Sequence, residues 1–473
     1  MLNATEVFLQ LDSKLRTLEG DGHQFSDTLS QQLALAQQIQ SLMTDAEQCI
    51  GAPEFLLGPY RFSDRAQPFS STGEVLFVEQ DGGERLALKF LTKLDGNNHF
   101  VPNHDHMYAF QHPAVRAMTT IGESLMGKAA NISVPFPMYF GAAGVTEIGE
   151  GGVNLLPFDV SEILAGKMEP VIVMRAMRTS LSDVLLDTRE AEEHGQTAPY
   201  SSEQLKVWTD QVFHKVLNSS VPLSIDLSAQ IGAPKEIEKL MIGKTVGWLA
   251  SREEDSEVQK HPELVAAVAK AKQVQELFGI FFALQETPLN LATRAVPLVK
   301  NGQPGPLGKL SQTFGPGDTK FSNVMIGQHS SGSEAVGLFD PQWLILNPGA
   351  QGNDRHAFAP WPFADFMQIA AYTASEPASY GFPDLQQAIY DNVRNYYGKE
   401  HWSEWHELYL KLLTSYKMLV DVAVSVDSFI QKKASGQEIP RELHWRITKH
   451  PRAALELAKR ALRVYDDHKN NHR

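Results

Sequence analysis

Hydrophobic spacing changes character along the chain. Val7, Phe8, Leu11, Leu15 and Leu18, then Leu33, Leu35, Ile39 and Leu42, recur at helical intervals, so residues 1–54 are predicted as a helical N-terminal extension. From about Phe55 the period shortens to two. VLFVE and LALKF alternate on either side of Asp81-Gly82-Gly83, which predicts two strands joined by a turn. The stretch Val115 to Ala129, VRAMTTIGESLMGKA, returns to an amphipathic helical stripe, and Val171 to Met174 form an apolar run of buried-strand length. Helical stripes dominate again from about 189 to 312: Leu205, Trp208, Val212 and Val216 mark one, and Leu264, Val268, Leu277, Phe278, Phe281 and Phe282 another. Residues 383–473 are helical by period, and their aromatics, Tyr390, Tyr396, Tyr397, Trp402, Trp405, Tyr409 and Tyr416, read as core.

A chain of 473 residues has room for two or three domains. Its net charge of -14, with a basic segment only near the C-terminus, argues against nucleic acid as the main partner. The single cysteine, Cys49, cannot form an intramolecular disulfide, which suits a reducing compartment. No apolar run reaches membrane-spanning length and no signal-peptide pattern opens the chain, so a cytoplasmic location is expected; secretion without a cleaved signal leaves no trace in a sequence. His99, His104, His106 and His112 cluster in a loop-like stretch without cysteines or helical His spacing, and are read as solvated rather than as a metal site. Ile242 to Thr245, IGKT, lacks the first glycine of a phosphate loop, because Glu238 stands there.

The stretch with the densest chemistry is FGPGDTKFSNVMIG, Phe314 to Gly327, read with the apolar run AVGLFD that ends on Asp340. Asp318, Lys320 and Asn323 form a D-x-K-x-x-N arrangement ahead of the short strand Val324 to Ile326. A carboxylate at Asp318 can deprotonate an attacking hydroxyl, Lys320 can neutralise a transferring phosphoryl group, and Asn323 with Asp340 can hold a metal ion. Phosphoryl transfer asks mainly for positioning and charge neutralisation, so these groups make a nearly complete set.

This stretch resembles the catalytic loop and metal-binding segment of the protein kinase-like superfamily, which includes serine/threonine protein kinases and aminoglycoside phosphotransferase-type small-molecule kinases. The chain departs from the family pattern at Pro316, where a histidine is usual, and at Pro341 and Gln342, which follow the metal-binding aspartate. Other segments resemble the family in its order. Ser71, Thr72 and Gly73 occupy the place of its phosphate loop, and LALKF resembles its V-A-I-K strand, which implies that Lys89 binds nucleotide phosphates. Glu123 is then the acidic partner of Lys89. EPVIVMRAM followed by RTSLSDVLL resembles the hinge, so Met174, Ala176 and Met177 are expected to line an adenine pocket. Asp365 fits the aspartate that braces the catalytic loop.

The resemblance covers roughly Phe55 to Ser375 and implies an α+β, two-lobed protein kinase-like fold. The expected domains are the extension 1–54, a β-rich N-lobe 55–178, a helical C-lobe 179–382 containing a helical insertion at about 189–312, and a helical C-terminal subdomain 383–473. It further implies ATP and Mg2+ as cofactors and a hydroxyl acceptor. Lys320 leans towards a protein acceptor. The long insertion and the short segment after Asp340 lean towards a small molecule. Two other readings stand beside it: a pseudokinase scaffold acting through its helical extensions, and nucleotidyl transfer by the same fold.

Overall fold

The computed structural model describes residues 3–21, 50–63, 74–80, 85–95, 97–101, 112–131, 138–219, 246–282, 321–328, 334–339, 383–397 and 404–471, with a few shorter pieces. They divide into two compact units: Met1–Thr179 with Met325–Asn353, and Ser180–Val324 with Asp354–Arg473.

The first unit is a mixed structure around a curled antiparallel sheet. Its strands are β1 (Gly58–Phe62), β2 (Val75–Glu79), β3 (Arg85–Phe90), β4 (Tyr139–Val145), β5 (Gly152–Leu155) and β6 (Glu169–Arg175), in the spatial order β4-β6-β3-β2-β1-β5. Leu156, just past β5, exchanges both backbone hydrogen bonds with Gly144 of β4 at 2.9 Å. The two edges therefore meet, leaving little free edge to template further strands. The β2–β3 pair is the hairpin that the alternation predicts, and the apolar run at Val171 extends to the whole of β6. Two strands went unread. GPYRF buries only Tyr60, and GVNL buries Val153 and Leu155, an alternation too short to stand out in a sequence.

Among the described residues this unit also carries the α-helices α1 (Ala4–Gly20), α2 (Pro113–Asn131) and α3 (Val160–Leu164). Asn3 caps α1, its side chain accepting from the Thr5 N–H at 2.8 Å, and Val7, Phe8, Leu11 and Leu15 are its buried stripe. Much of the remaining extension, including Leu35, Ile39 and Leu42 of the second stripe, lies outside the described residues. Helix α2 seats on β4 through Gly127, where a Cβ would stand 2.2 Å from the Tyr139 ring, so only glycine permits that approach. Strands β7 (Val324–Gln328) and β8 (Glu334–Leu338) pair with each other. Met325, Ala335 and Phe339 pack against the cluster formed by Val75, Phe77, Ala87, Met138, Tyr139, Ile172, Met174 and Met177. That packing groups β7 and β8 with the sheet.

The second unit is mainly helical: α4 (Leu181–Glu193), α5 (Ser202–Ser219), α6 (Pro262–Phe282), α7 (Pro383–Tyr397), α8 (Glu404–Ala434), α9 (Arg441–Thr448) and α10 (His450–Asn471). Ser180 caps α4: its Oγ accepts from the Asp183 N–H at 3.0 Å and donates to Asp183 Oδ2 at 2.7 Å. Insertion and C-terminal helices pack together. The His261 ring meets Phe429 edge to face, and Arg441 of α9 pairs with Asp187 and Glu190 of α4 at 2.8 and 3.0 Å.

His450 is buried where α8, α9 and α10 meet, with Asp421 Oδ2 3.9 Å from its Nδ1 and Lys417 3.1 Å from the same carboxylate. Burial pulls the imidazole down to about 4, with Asp421 opposing and Arg446 adding to the shift. A histidine whose folded pKa lies below its unfolded one contributes stability that is complete above pH 6.5 and lost as pH falls towards 4. The full loss is on the order of 3 kcal/mol. Melting measured from pH 7 to pH 4.5 is expected to show it, and His450→Gln, which cannot take up the proton, to have a flatter profile. An identical profile in that variant would show that other groups carry the acid sensitivity.

Candidate functional site

Strand β3 divides its side chains between two faces. Leu86, Leu88 and Phe90 enter the closed apolar core of the sheet, while Ala87 and Lys89 take the opposite face. Register fixes their neighbours. Lys89 stands between Val75 of β2 and Ile172 of β6, and Ala87 between Phe77 and Met174. Lys89 is therefore embedded in apolar side chains and is only 2% exposed.

An ammonium in that position needs a counter-charge. Helix α2 supplies it: Lys89 Nζ donates to Glu123 Oε1 at 2.5 Å, and Glu123 is 1% exposed. The ring of Phe339 lies 5.6 Å from the same Nζ, measured to its centroid. Phe339 is the last described residue of its segment and immediately precedes Asp340 in the sequence.

The segment after β6 runs along the same apolar cluster. Met174 and Met177 are buried in it and Ala176 packs at its margin. The Ala176 N–H donates to the Arg85 carbonyl at 3.0 Å, and the Arg178 N–H to the Ile326 carbonyl at 2.8 Å, which ties this segment to β7.

In the second unit, Asn323 ends the turn Phe321–Asn323 and is buried. Phe321 anchors that turn, fully buried beside α4, and Arg446 of α9 reaches Ser322 at 3.5 Å. Asp318, Lys320, Asp340, Asp365, Ser71, Thr72 and Gly73 lie outside the described residues. Among the described residues, no group of three or more His, Cys, Asp or Glu side chains is placed to hold a metal ion. None of their helices is long and apolar enough to cross a membrane.

A second buried ion pair escaped the sequence reading. Arg116 Nε lies 3.1 Å from Glu169 Oε1, and the Thr92 hydroxyl donates to that oxygen at 3.0 Å. Burial raises the Glu169 carboxyl above its ordinary range, with Arg116 and Thr92 opposing the shift. The signals were present: an arginine within an apolar helical stripe, and a glutamate fused to the start of a strand that is buried almost throughout.

No protein-family model matches the chain, and no curated protein matches it. Among solved structures, a glucosamine kinase aligns over 92% of this chain and 80% of its own, with 12% identity and a TM-score of 0.32.

Proposed function

We propose that the chain is a phosphotransferase of kinase-like, two-lobed architecture that moves the γ-phosphoryl group of ATP to a hydroxyl of a protein serine or threonine, or of a small molecule. The observation that carries the reading is the buried Lys89–Glu123 pair, set in the apolar face that also holds Met174, Met177 and Phe339. Apolar residues of similar volume would stabilise such a place as well or better, so a retained charge there is suited to a ligand. Lys89 orients phosphate oxygens and Glu123 holds the lysine extended. Ser71, Thr72 and Gly73 bring backbone amides to the phosphates. The methionines and Ala176 offer a polarisable wall for a purine ring. Since the Ala176 N–H is already used by Arg85, the purine edge is read by other groups of residues 174–177.

Asp318 takes the acceptor's proton, Lys320 balances charge on the moving phosphoryl group, and Asp365 braces the loop that carries them. Asn323 and Asp340 offer an amide and a carboxylate oxygen, hard donors that fit Mg2+. When bound, the ion neutralises phosphate charge.

The test is melting of the purified full chain with and without ATP and Mg2+, followed by incubation with γ- or α-labelled ATP and a lysate. Nucleotide stabilisation with γ-label transfer that Asp318→Asn abolishes is the expected result. Transfer of the α-label would replace the reading with nucleotidyl transfer. Stabilisation without any transfer would replace it with a nucleotide-binding scaffold, and the absence of both would overturn it.

A further inference from the structure

Lys89 and Glu123 join β3 to α2 near the middle of the helix, and a single ion pair does not by itself fix the helix's roll. A second buried crosslink ties the same helix to β6 and to the segment just past β3. Arg116 precedes Glu123 by seven residues, close to two helical turns, and so lies on the same stripe of α2. Thr92 follows Lys89 by three residues, two past the end of β3. Glu169 opens β6, three residues before Ile172, the partner of Lys89 in the register. The Glu169 carboxylate thus gathers the first turns of α2, the segment just past β3 and the start of β6 at one oxygen, with contacts of 3.1 and 3.0 Å.

We propose that Glu169, held between Arg116 and Thr92, is a positioning residue that fixes the rotation of α2 and thereby keeps Glu123 on Lys89. The idea rests on the phosphotransferase reading only for its consequence in catalysis; the mechanical part stands on the geometry alone. Two ionic crosslinks about two turns apart define both the tilt and the roll of a helix. Beyond Glu123, Gly127 packs so closely on Tyr139 that even a Cβ would stand 2.2 Å from the ring, so a small roll of α2 would drive backbone into it. Glu123 is in consequence held towards the lysine without any ligand.

The experiment uses the full chain and has two arms. In the first, amide hydrogen exchange is followed in Glu169→Gln and in the milder Thr92→Val, which removes one hydrogen bond without removing volume. Exchange is expected to quicken across Pro113–Asn131 and to stay unchanged in the second unit, with Thr92→Ser restoring the native pattern. A double-mutant cycle between Glu169→Gln and Glu123→Gln, read by melting, is expected to be non-additive. Unchanged exchange in α2, or strict additivity, would overturn the proposal whether or not the protein transfers phosphate.

In the second arm the transfer rate is expected to fall on the order of tenfold to a hundredfold in Glu169→Gln, mainly in kcat. The paired replacement Glu169→Leu with Arg116→Met is expected to restore melting but not the rate, because apolar packing replaces the lost charges without fixing the roll. A native rate in that double variant would overturn the positioning role. A native protein with no transfer at all would sink the phosphotransferase reading while leaving the first arm decisive.

Discussion

Glu123→Ala is expected to lower folding stability by about 3–5 kcal/mol, because it leaves the Lys89 ammonium buried among Val75, Ile172 and Phe339 without its carboxylate. Lys89→Met alone leaves a buried carboxylate that can protonate, so its cost is expected to be smaller. The combination Lys89→Met with Glu123→Leu is expected to melt at or above the native temperature. What decides between architecture and chemistry is the nucleotide. If the pair serves only to hold α2 on the sheet, the double variant keeps whatever ATP response the native chain has. If Lys89 orients phosphates, it melts normally, loses the ATP-induced rise in melting temperature and transfers at least about a hundredfold more slowly. Melting with and without ATP, on native and double variant side by side, separates the two.

Legibility followed what each residue is used for. Lys89 and Glu123 could be paired because LALKF resembles a strand whose lysine takes an acidic partner from the following helix, and a charge inside an apolar strand needs a partner. The closure of the sheet could not be read. It depends on Gly144 and Leu156 exchanging backbone bonds, and main-chain pairing has no side-chain signature. The packing of α6 with the C-terminal helices was also hidden, since periodicity shows that a helix has an apolar face but not which other face covers it. Arg116 and Glu169 show a third limit. Both residue types are common on surfaces, and only the fold places them within 3.1 Å of each other and out of solvent.

Asp318→Asn and Asp340→Asn are expected to fail in different ways, and the difference tests the assignment of roles. A general base acts on the acceptor proton. Its replacement by an isosteric amide removes proton acceptance but not nucleotide contacts, so Asp318→Asn should keep the ATP-induced stabilisation while transfer falls about 10²–10⁴-fold. A carboxylate that shares a cation with nucleotide phosphates has another consequence. Asp340→Asn exchanges a charged donor for a neutral one, so the Mg2+-dependent part of the stabilisation should shrink together with the rate. Phe339, the residue before Asp340 in sequence, has its ring 5.6 Å from the Lys89 Nζ, measured to the centroid. Isothermal titration with ATP at several Mg2+ concentrations distinguishes the two variants. Equal loss of binding in both would mean that Asp318 touches the nucleotide rather than the acceptor. Undiminished binding and transfer in Asp340→Asn would remove that carboxylate from the site altogether, and with it the reason for reading Asn323 as its companion.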